Sequence, residues 1–345
     1  MKCFKHDILS KFSLLVVVGC SVFIATVPAN ADIFGSGPNT FEIEFVTIGD
    51  PGNAADTTGS PNPAGAVPYT YRIGKYEISE GMIDAANAIA TGEGNSLGIT
   101  HDGRGPNKPA TSVSWFEAAE FVNWLNTSKG STPAYKFDSN GDFQLWTPAD
   151  PGYNPNNQFR NTQARYFLPD VDEWYKAAYF DPSANVYFNY PTGSDIEPDG
   201  IDFAGDPTFE AVFIDGDANS QPNDITDVGV LSPYGTAGQG GNVFEWEETE
   251  RDLDNDSKLL WRGIRGGYWR RNSRLLLASL RISSDPMSEN DIIGFRVASI
   301  PEPSTLLLLC IGTLGSLGLR MRSTAQNILR LNSNCSLLLQ TIISK

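Results

Sequence analysis

GGNVFEW (240–246), RGIRGGYW (262–269) and GFRVA (294–298) follow one another in the last part of the chain before its C-terminal segment. Between them they combine glycines, aromatic rings and arginines. That mixture suits tight backbone turns wedged against rings: glycine reaches φ values closed to other residues, and a ring fills the space beside it. Their composition points to such turns rather than to an ordinary helix or strand.

The two ends of the chain read as targeting segments. Lys2, Lys5 and Lys11 precede a nearly continuous apolar run from Phe12 to Val27, and Ala29-Asn30-Ala31 is a small-residue cleavage site. This is the layout of a secretory signal over 1–31, with Asp32 as the mature start. Val17-Val18-Gly19-Cys20 offers a competing lipoprotein box, weakened by the apolar residues that continue past Cys20. At the other end, Pro301-Glu302-Pro303-Ser304-Thr305 precedes an apolar stretch from Leu306 to Leu319, closed by Arg320 and Arg322. A stable membrane span needs about 20 residues. The shorter stretch predicts a transient hold at the inner membrane with its arginines on the cytoplasmic side. A plain C-terminal anchor is the alternative.

Setting the ends aside sharpens the charge. The 345-residue chain has a formal net charge of −16, whereas residues 32–300 hold 18 Lys and Arg against 39 Asp and Glu, a net −21. Such a surface repels nucleic acid and anionic lipid and is compatible with divalent cations. Cys3, Cys20, Cys310 and Cys335 all lie in the end segments, so the body has no disulfide. It is long enough for one large core without such staples.

Within the body, FEIEFVTI (41–48) alternates apolar and polar residues as a half-buried strand does, and YTYRIGKYEI (69–78) predicts a second strand. The turn-rich stretch 49–68 between them reads as an insertion. Ser79 caps a helix over roughly 80–91. Ser114 and Glu117 form a capping box ahead of a helix whose apolar face is Trp115, Ala118, Ala119, Val122 and Leu125. A short helix is predicted over 170–178, and 181–240 reads as mostly loop. With 33 glycines and 22 prolines but many aromatics, the body predicts an irregular, compact fold without an internal domain boundary.

Seven landmarks, in order over 72–298, resemble the sulfatase-modifying-factor family, the fold of the formylglycine-generating enzyme. They are Arg72 to Ile78, Pro109 to Leu125, Tyr166-Phe167-Leu168-Pro169 with Trp174 to Ala178, Ala218-Asn219, Val228 to Trp246, Arg265-Gly266-Gly267, and Gly294-Phe295-Arg296. The resemblance implies an irregular, loop-rich α+β architecture related to C-type lectins, with bound calcium. Asn219 and Asn242 match positions that the family uses as calcium ligands, and Glu245 is a further candidate. Calcium takes six to eight oxygens, which Asn side chains and turn carbonyls supply. The alternative role for both asparagines is to satisfy turn backbone. Two acidic strings that mimic an EF-hand start, at 215–219 and 252–256, lack its Gly and Glu and read as solvated loops. The segment 301–322 resembles the PEP-CTERM sorting signal of Gram-negative bacteria, which implies handling by an exosortase-type protease and an exported, envelope or extracellular destination. Residues 323–345 extend beyond it.

The family enzyme oxidises a substrate cysteine with copper held by two thiolates just after its "RGGS" string. Here that region, Arg270 to Leu277, contains no cysteine, and copper(I) selects thiolate or thioether. Neither copper nor iron is therefore expected. His101, the one histidine in the body, reads as an ordinary loop residue, and no GxSxG string accompanies it. Paired carboxylates for glycoside hydrolysis remain open. Arg265 and Arg296 either line a ligand groove, with Trp269, or pin loops from within the core. Trp246, Trp261 and Trp269 face the same choice between core and ligand platform. The residues predict an exported, non-catalytic module that binds a glycan or an envelope or matrix partner. The alternatives are a family enzyme acting on a protein without the cysteine pair, and a structural matrix protein.

Overall fold

Strand Phe41–Ile48 buries Ile43, Phe45 and Ile48 and leaves Glu42 and Glu44 in solvent, the two-residue alternation expected of one covered sheet face. The computed structural model describes residues 31–94, 96–202, 206–214 and 220–301. The predicted signal core and the 306–319 apolar stretch lie outside those residues. Among the described residues, no helix is long and apolar enough to cross a membrane.

Two sheets organise the body. The first has five antiparallel strands in the order Ala31–Phe34, Phe41–Ile48, Tyr71–Gly74, Ala298–Ser299 and Tyr166–Phe167. The second has four, ordered Ile282–Ser284, Arg262–Arg265, Phe244–Glu250 and Ile293–Gly294, with the last pair parallel. The strand expected over 69–78 is shorter than its pattern. Past Gly74 the backbone turns to new partners, Lys75 N–H donating to Glu44 O (2.8 Å) and Ile78 N–H to Phe295 O (2.9 Å). The edge strand Ala31–Phe34 was not foreseen. Its Phe34 is buried among Phe41, Trp124 and Tyr166, and its Asp32 receives Arg72, Arg165 and Tyr166.

The helices begin where local chemistry ends their backbone deficit. Ser79 caps α1 (Glu80–Gly92) by accepting from Met82 N–H at 3.3 Å. Ser114 and Glu117 close a reciprocal capping box at α2 (Trp115–Ser128), and Asp170 and Glu173 another at α3 (Val171–Tyr179). The predicted α2 face is buried throughout, and Phe121, Trp124 and Asn126 join it. Trp115 anchors the core, its ring 5.3 Å from Tyr135 and 5.2 Å from Phe143.

Asn126 ties α2 to the first sheet. Its Oδ1 accepts from Arg165 N–H (2.9 Å) and Tyr166 N–H (3.0 Å), and its Nδ2 donates to Tyr166 O (2.8 Å) and Val122 O (3.0 Å). Leucine fits the volume but leaves backbone groups buried without partners. Asn126→Leu is expected to cost roughly 2–4 kcal/mol in urea unfolding. A loss below about 0.5 kcal/mol would show that these bonds do not hold the helix to the sheet.

Candidate functional site

Strand Phe244–Glu250 reads FEWEETE, and all of it is buried. Glu245, Glu247, Glu248 and Glu250 are each fully excluded from solvent. An ion leaving water loses several kcal/mol, so a buried carboxylate needs a cation and further donors. Glu245 receives Arg296 through Nε (2.6 Å) and Nη2 (2.5 Å), and Trp174 Nε1 at 2.7 Å. Glu247 is shared by Arg265 Nε (2.6 Å) and Arg281 Nε (2.7 Å). Glu248 receives Arg160 Nε and the Tyr135 hydroxyl, both at 2.7 Å, and Arg160 continues to Glu173. Glu250 accepts from Arg262 (3.1 Å) and from the backbone N–H groups of Asp256 (3.0 Å) and Ser257 (3.2 Å). Burial alone would lower the Arg296 pKa, but the Glu245 carboxylate overcomes it and raises it. For Arg262 burial wins over Glu250 and brings it down to about 10, so it stays charged at neutral pH.

These pairs shape the surface turn at 251–261. Arg251 N–H donates to Trp261 O at 2.8 Å, and Arg262 Nη2 donates to Ser257 O (3.3 Å) and Lys258 O (3.2 Å). Arg281 crosses beneath, donating to Arg251 O (3.1 Å), Thr249 O (3.1 Å) and Glu250 O (2.8 Å). The opposite wall comes from the 49–68 insertion, which is fixed onto α3. Asp56 accepts from the Tyr175 hydroxyl (2.6 Å), Asp172 from Gly65 N–H (2.7 Å), and Lys176 Nζ donates to Gly49 O (2.6 Å) and Asp50 O (2.8 Å).

Between the walls lies a cleft of about 490 Å³. Ser60 and Pro61 come from the insertion, Arg251, Leu253 and Trp261 from the turn, Ile282 and Ser283 from the edge strand, and Arg281 from just before it. The three tryptophans that looked alike in sequence separate here. Trp246 and Trp269 are core residues at 0 % and 1 % exposure, whereas Trp261 is 46 % exposed at the cleft. Sequence reasoning named Trp261 but not Arg251, Arg281 or Ser60. The rings and bases of one hairpin were the available signal, but their facing depends on the turn.

The other sequence candidates gather in the core. Arg296 donates to Gly74 O (2.9 Å), Lys75 O (3.1 Å) and Ala237 O (2.9 Å) besides Glu245, and Arg265 to Leu280 O at 3.0 Å. Both are buried pins and neither lines a groove. Trp269 lies buried, with the guanidiniums of Arg104 (5.0 Å) and Arg270 (4.9 Å) over its ring. His101 Nε2 sits 3.0 Å from Asp84 Oδ1, in the loop position its sequence predicts.

Of the calcium candidates, Asn242 and Glu245 are described, and both are buried in hydrogen-bonded settings. Asn242 sits at φ 59°, its Oδ1 accepts from Asn223 N–H (2.9 Å), and its Nδ2 donates to Glu77 Oε1 (2.9 Å). Both Glu245 oxygens accept from the Arg296 guanidinium. Burial pushes the adjoining Glu77 carboxyl up to about 7, and its Oε2 is buried without a hydrogen-bond partner. Asn219 and the 215–219 string lie outside the described residues. Among the described residues, no group of three or more His, Cys, Asp or Glu is placed to hold a metal ion.

The stretch where the related enzyme keeps its thiolates forms a short 3₁₀ turn, Ser273–Leu276. Ser273 Oγ donates to Glu197, which borders a second, acid-lined cleft of about 560 Å³ with Asp199 and Glu210.

Residues 49–300 match the sulfatase-modifying factor enzyme 1-like domain, and residues 299–323 the PEP-CTERM protein-sorting motif. No curated protein matches the chain. Among solved structures, Treponema denticola variable protein 1 is similar with a TM-score of 0.53 at 19 % identity, over 79 % of this chain and 99 % of that one. The crystal structure of CarF is similar with a TM-score of 0.53 at 18 % identity, over 75 % and 99 %. At these identities the likeness establishes the fold alone: loop-rich α+β, of the formylglycine-generating-enzyme type related to C-type lectins. The sorting motif marks export, recognition by exosortase machinery and delivery to the Gram-negative cell envelope.

Gly263 tests the cleft floor, because a Cβ there would fall 2.0 Å from Glu247 Oε2 and 2.4 Å from Arg281 Nη2. Gly263→Ala is expected to destabilise the protein by roughly 1–3 kcal/mol in chemical denaturation; unchanged stability would contradict this packing. EDTA tests the calcium that the family resemblance implies, and an unchanged melting temperature would remove it. A ligand bound only by the native state must stabilise it. A fall reversed by added calcium would therefore show a bound ion.

Proposed function

Because this chain belongs to the sulfatase-modifying factor family and carries an envelope-sorting motif, we propose that it is an exported, non-catalytic module whose Trp261 cleft binds a saccharide of the cell envelope. The observation that carries this reading is an indole held 46 % exposed at a preformed cleft. The C–H face of a pyranose is apolar and packs on such a ring, while hydroxyls on the sugar's rim seek fixed polar groups. Ser60, Ser283 and Arg251 supply those groups around the ring. Backbone and ion-pair bonds hold both walls in place, so little ordering entropy is lost on binding.

The absence of cysteine from 32–300 supports the non-catalytic part, since the family's copper chemistry requires thiolates. The second reading is a family enzyme acting on a protein by other chemistry. The acid-lined cleft beside Ser273 is the feature that favours it.

A glycan binding screen with the purified protein tests the first reading. Trp261→Ala is expected to weaken binding at least about tenfold, the scale of 1.4 kcal/mol, with the melting temperature held within about 2 °C. Glycan binding that survives the substitution would remove the cleft from the account. Conversion of cysteine to formylglycine in a sulfatase peptide would replace it with the enzymatic reading.

A further inference from the structure

We infer that the Trp261 cleft selects an anionic saccharide, bearing carboxylate or sulfate groups, over a neutral one; this rests on the saccharide reading above. Residues 32–300 carry a net −21, yet no acidic residue lines this cleft and two arginines do. The local charge follows from how the buried glutamates are spent. Glu247 is a single carboxylate serving two arginines, Arg265 and Arg281. Arg281, the one of the two that lines the cleft, thus shares its carboxylate with a second guanidinium. The remaining donors of the pair meet neutral backbone carbonyls, Leu280 O for Arg265 and Arg251, Thr249 and Glu250 O for Arg281, and Arg265 Nη2 is left without a partner.

Arg251 adds a second charge at the rim. It is exposed, and among the described residues its guanidinium makes no ion pair. Glu250, directly before it, is committed to Arg262 and to the 256–257 backbone. Asp252, Asp254 and Asp256 ride the same turn but none lines the cleft, and Asp252 Oδ1 accepts from Asp254 N–H at 3.3 Å. A guanidinium meets a carboxylate or sulfate through paired N–H donors, a stronger contact than with a neutral hydroxyl. The acidic remainder of the surface repels the same anion, which confines binding to this place and reduces non-specific contact. An exposed indole beside a free guanidinium fits one sugar ring carrying one acidic substituent.

The test compares short oligogalacturonate, its fully methyl-esterified form, a sulfated galacto-oligosaccharide and oligoglutamate of equal charge, titrated against the full protein by calorimetry. The ester retains the ring and removes the charge. Either charged saccharide is expected to bind about tenfold more tightly than the ester, the scale of one charge-assisted hydrogen bond. Arg251→Gln is expected to bring that ratio below about threefold with the melting temperature unchanged, while Trp261→Ala weakens charged and esterified forms alike. Equal affinity for acid and ester would overturn the charge selection and leave the saccharide reading standing. Oligoglutamate binding as tightly as the oligogalacturonate would overturn it in favour of an acidic peptide. Binding of none of the probes would overturn both readings.

Discussion

A strand whose sequence alternates and repeats glutamate lies wholly inside this protein, and the arginines that neutralise it come from everywhere else. Glu245 reaches Arg296, Glu247 reaches Arg265 and Arg281, Glu248 reaches Arg160, and Glu250 reaches Arg262. Such pairs add little net stability over an apolar core, because desolvation offsets the attraction. Their effect is on uniqueness. Any arrangement that separates one partner leaves a buried charge at a cost of about 3–5 kcal/mol, so alternative packings of these loops are excluded. A fold with short strands and long irregular connections requires such a device, since regular ladders cannot fix its register.

The same network sets what the surface presents. Arg281 is locked by Glu247 and by three carbonyls, which fixes the end of the edge strand under the cleft. Glu250 and Arg262 gather the backbone of the 251–261 turn, which holds Trp261 outward while Trp246, on the adjoining strand, donates its indole N–H to Val113 O in the core. The insertion at 49–68 completes the opposite wall because α3 offers it Tyr175, Asp172 and Lys176. The core chemistry and the candidate binding surface are thus two sides of one set of ion pairs.

Local signals in the chain were legible because they are satisfied locally. Ser114 with Glu117 and Asp170 with Glu173 close capping boxes three residues long, and the helices begin where those residues predict. FEIEFVTI forms its strand because burial on one face is a two-residue rule. Of the glutamates of FEWEETE, the sequence singled out only Glu245, as a calcium candidate, with no sign that all four are buried. Glu250 and Glu247 find Arg262 and Arg265 on the adjoining strand, 12 and 18 residues on, but Arg160 lies 88 residues from Glu248 and Arg296 lies 51 from Glu245.

The sequence by itself determined the family landmarks, the helix starts, the missing thiolates and the sorting motif. Each depends on residue identity at short spacing, and the sorting motif is a linear signal. Only the tertiary structure decided which charges are buried, that Glu245 is paired with Arg296 and Asn242 with Asn223 and Glu77, and that Trp261 alone of three similar tryptophans faces a cleft. Those outcomes depend on pairings across the chain, where the burial of one ion is settled by the position of another.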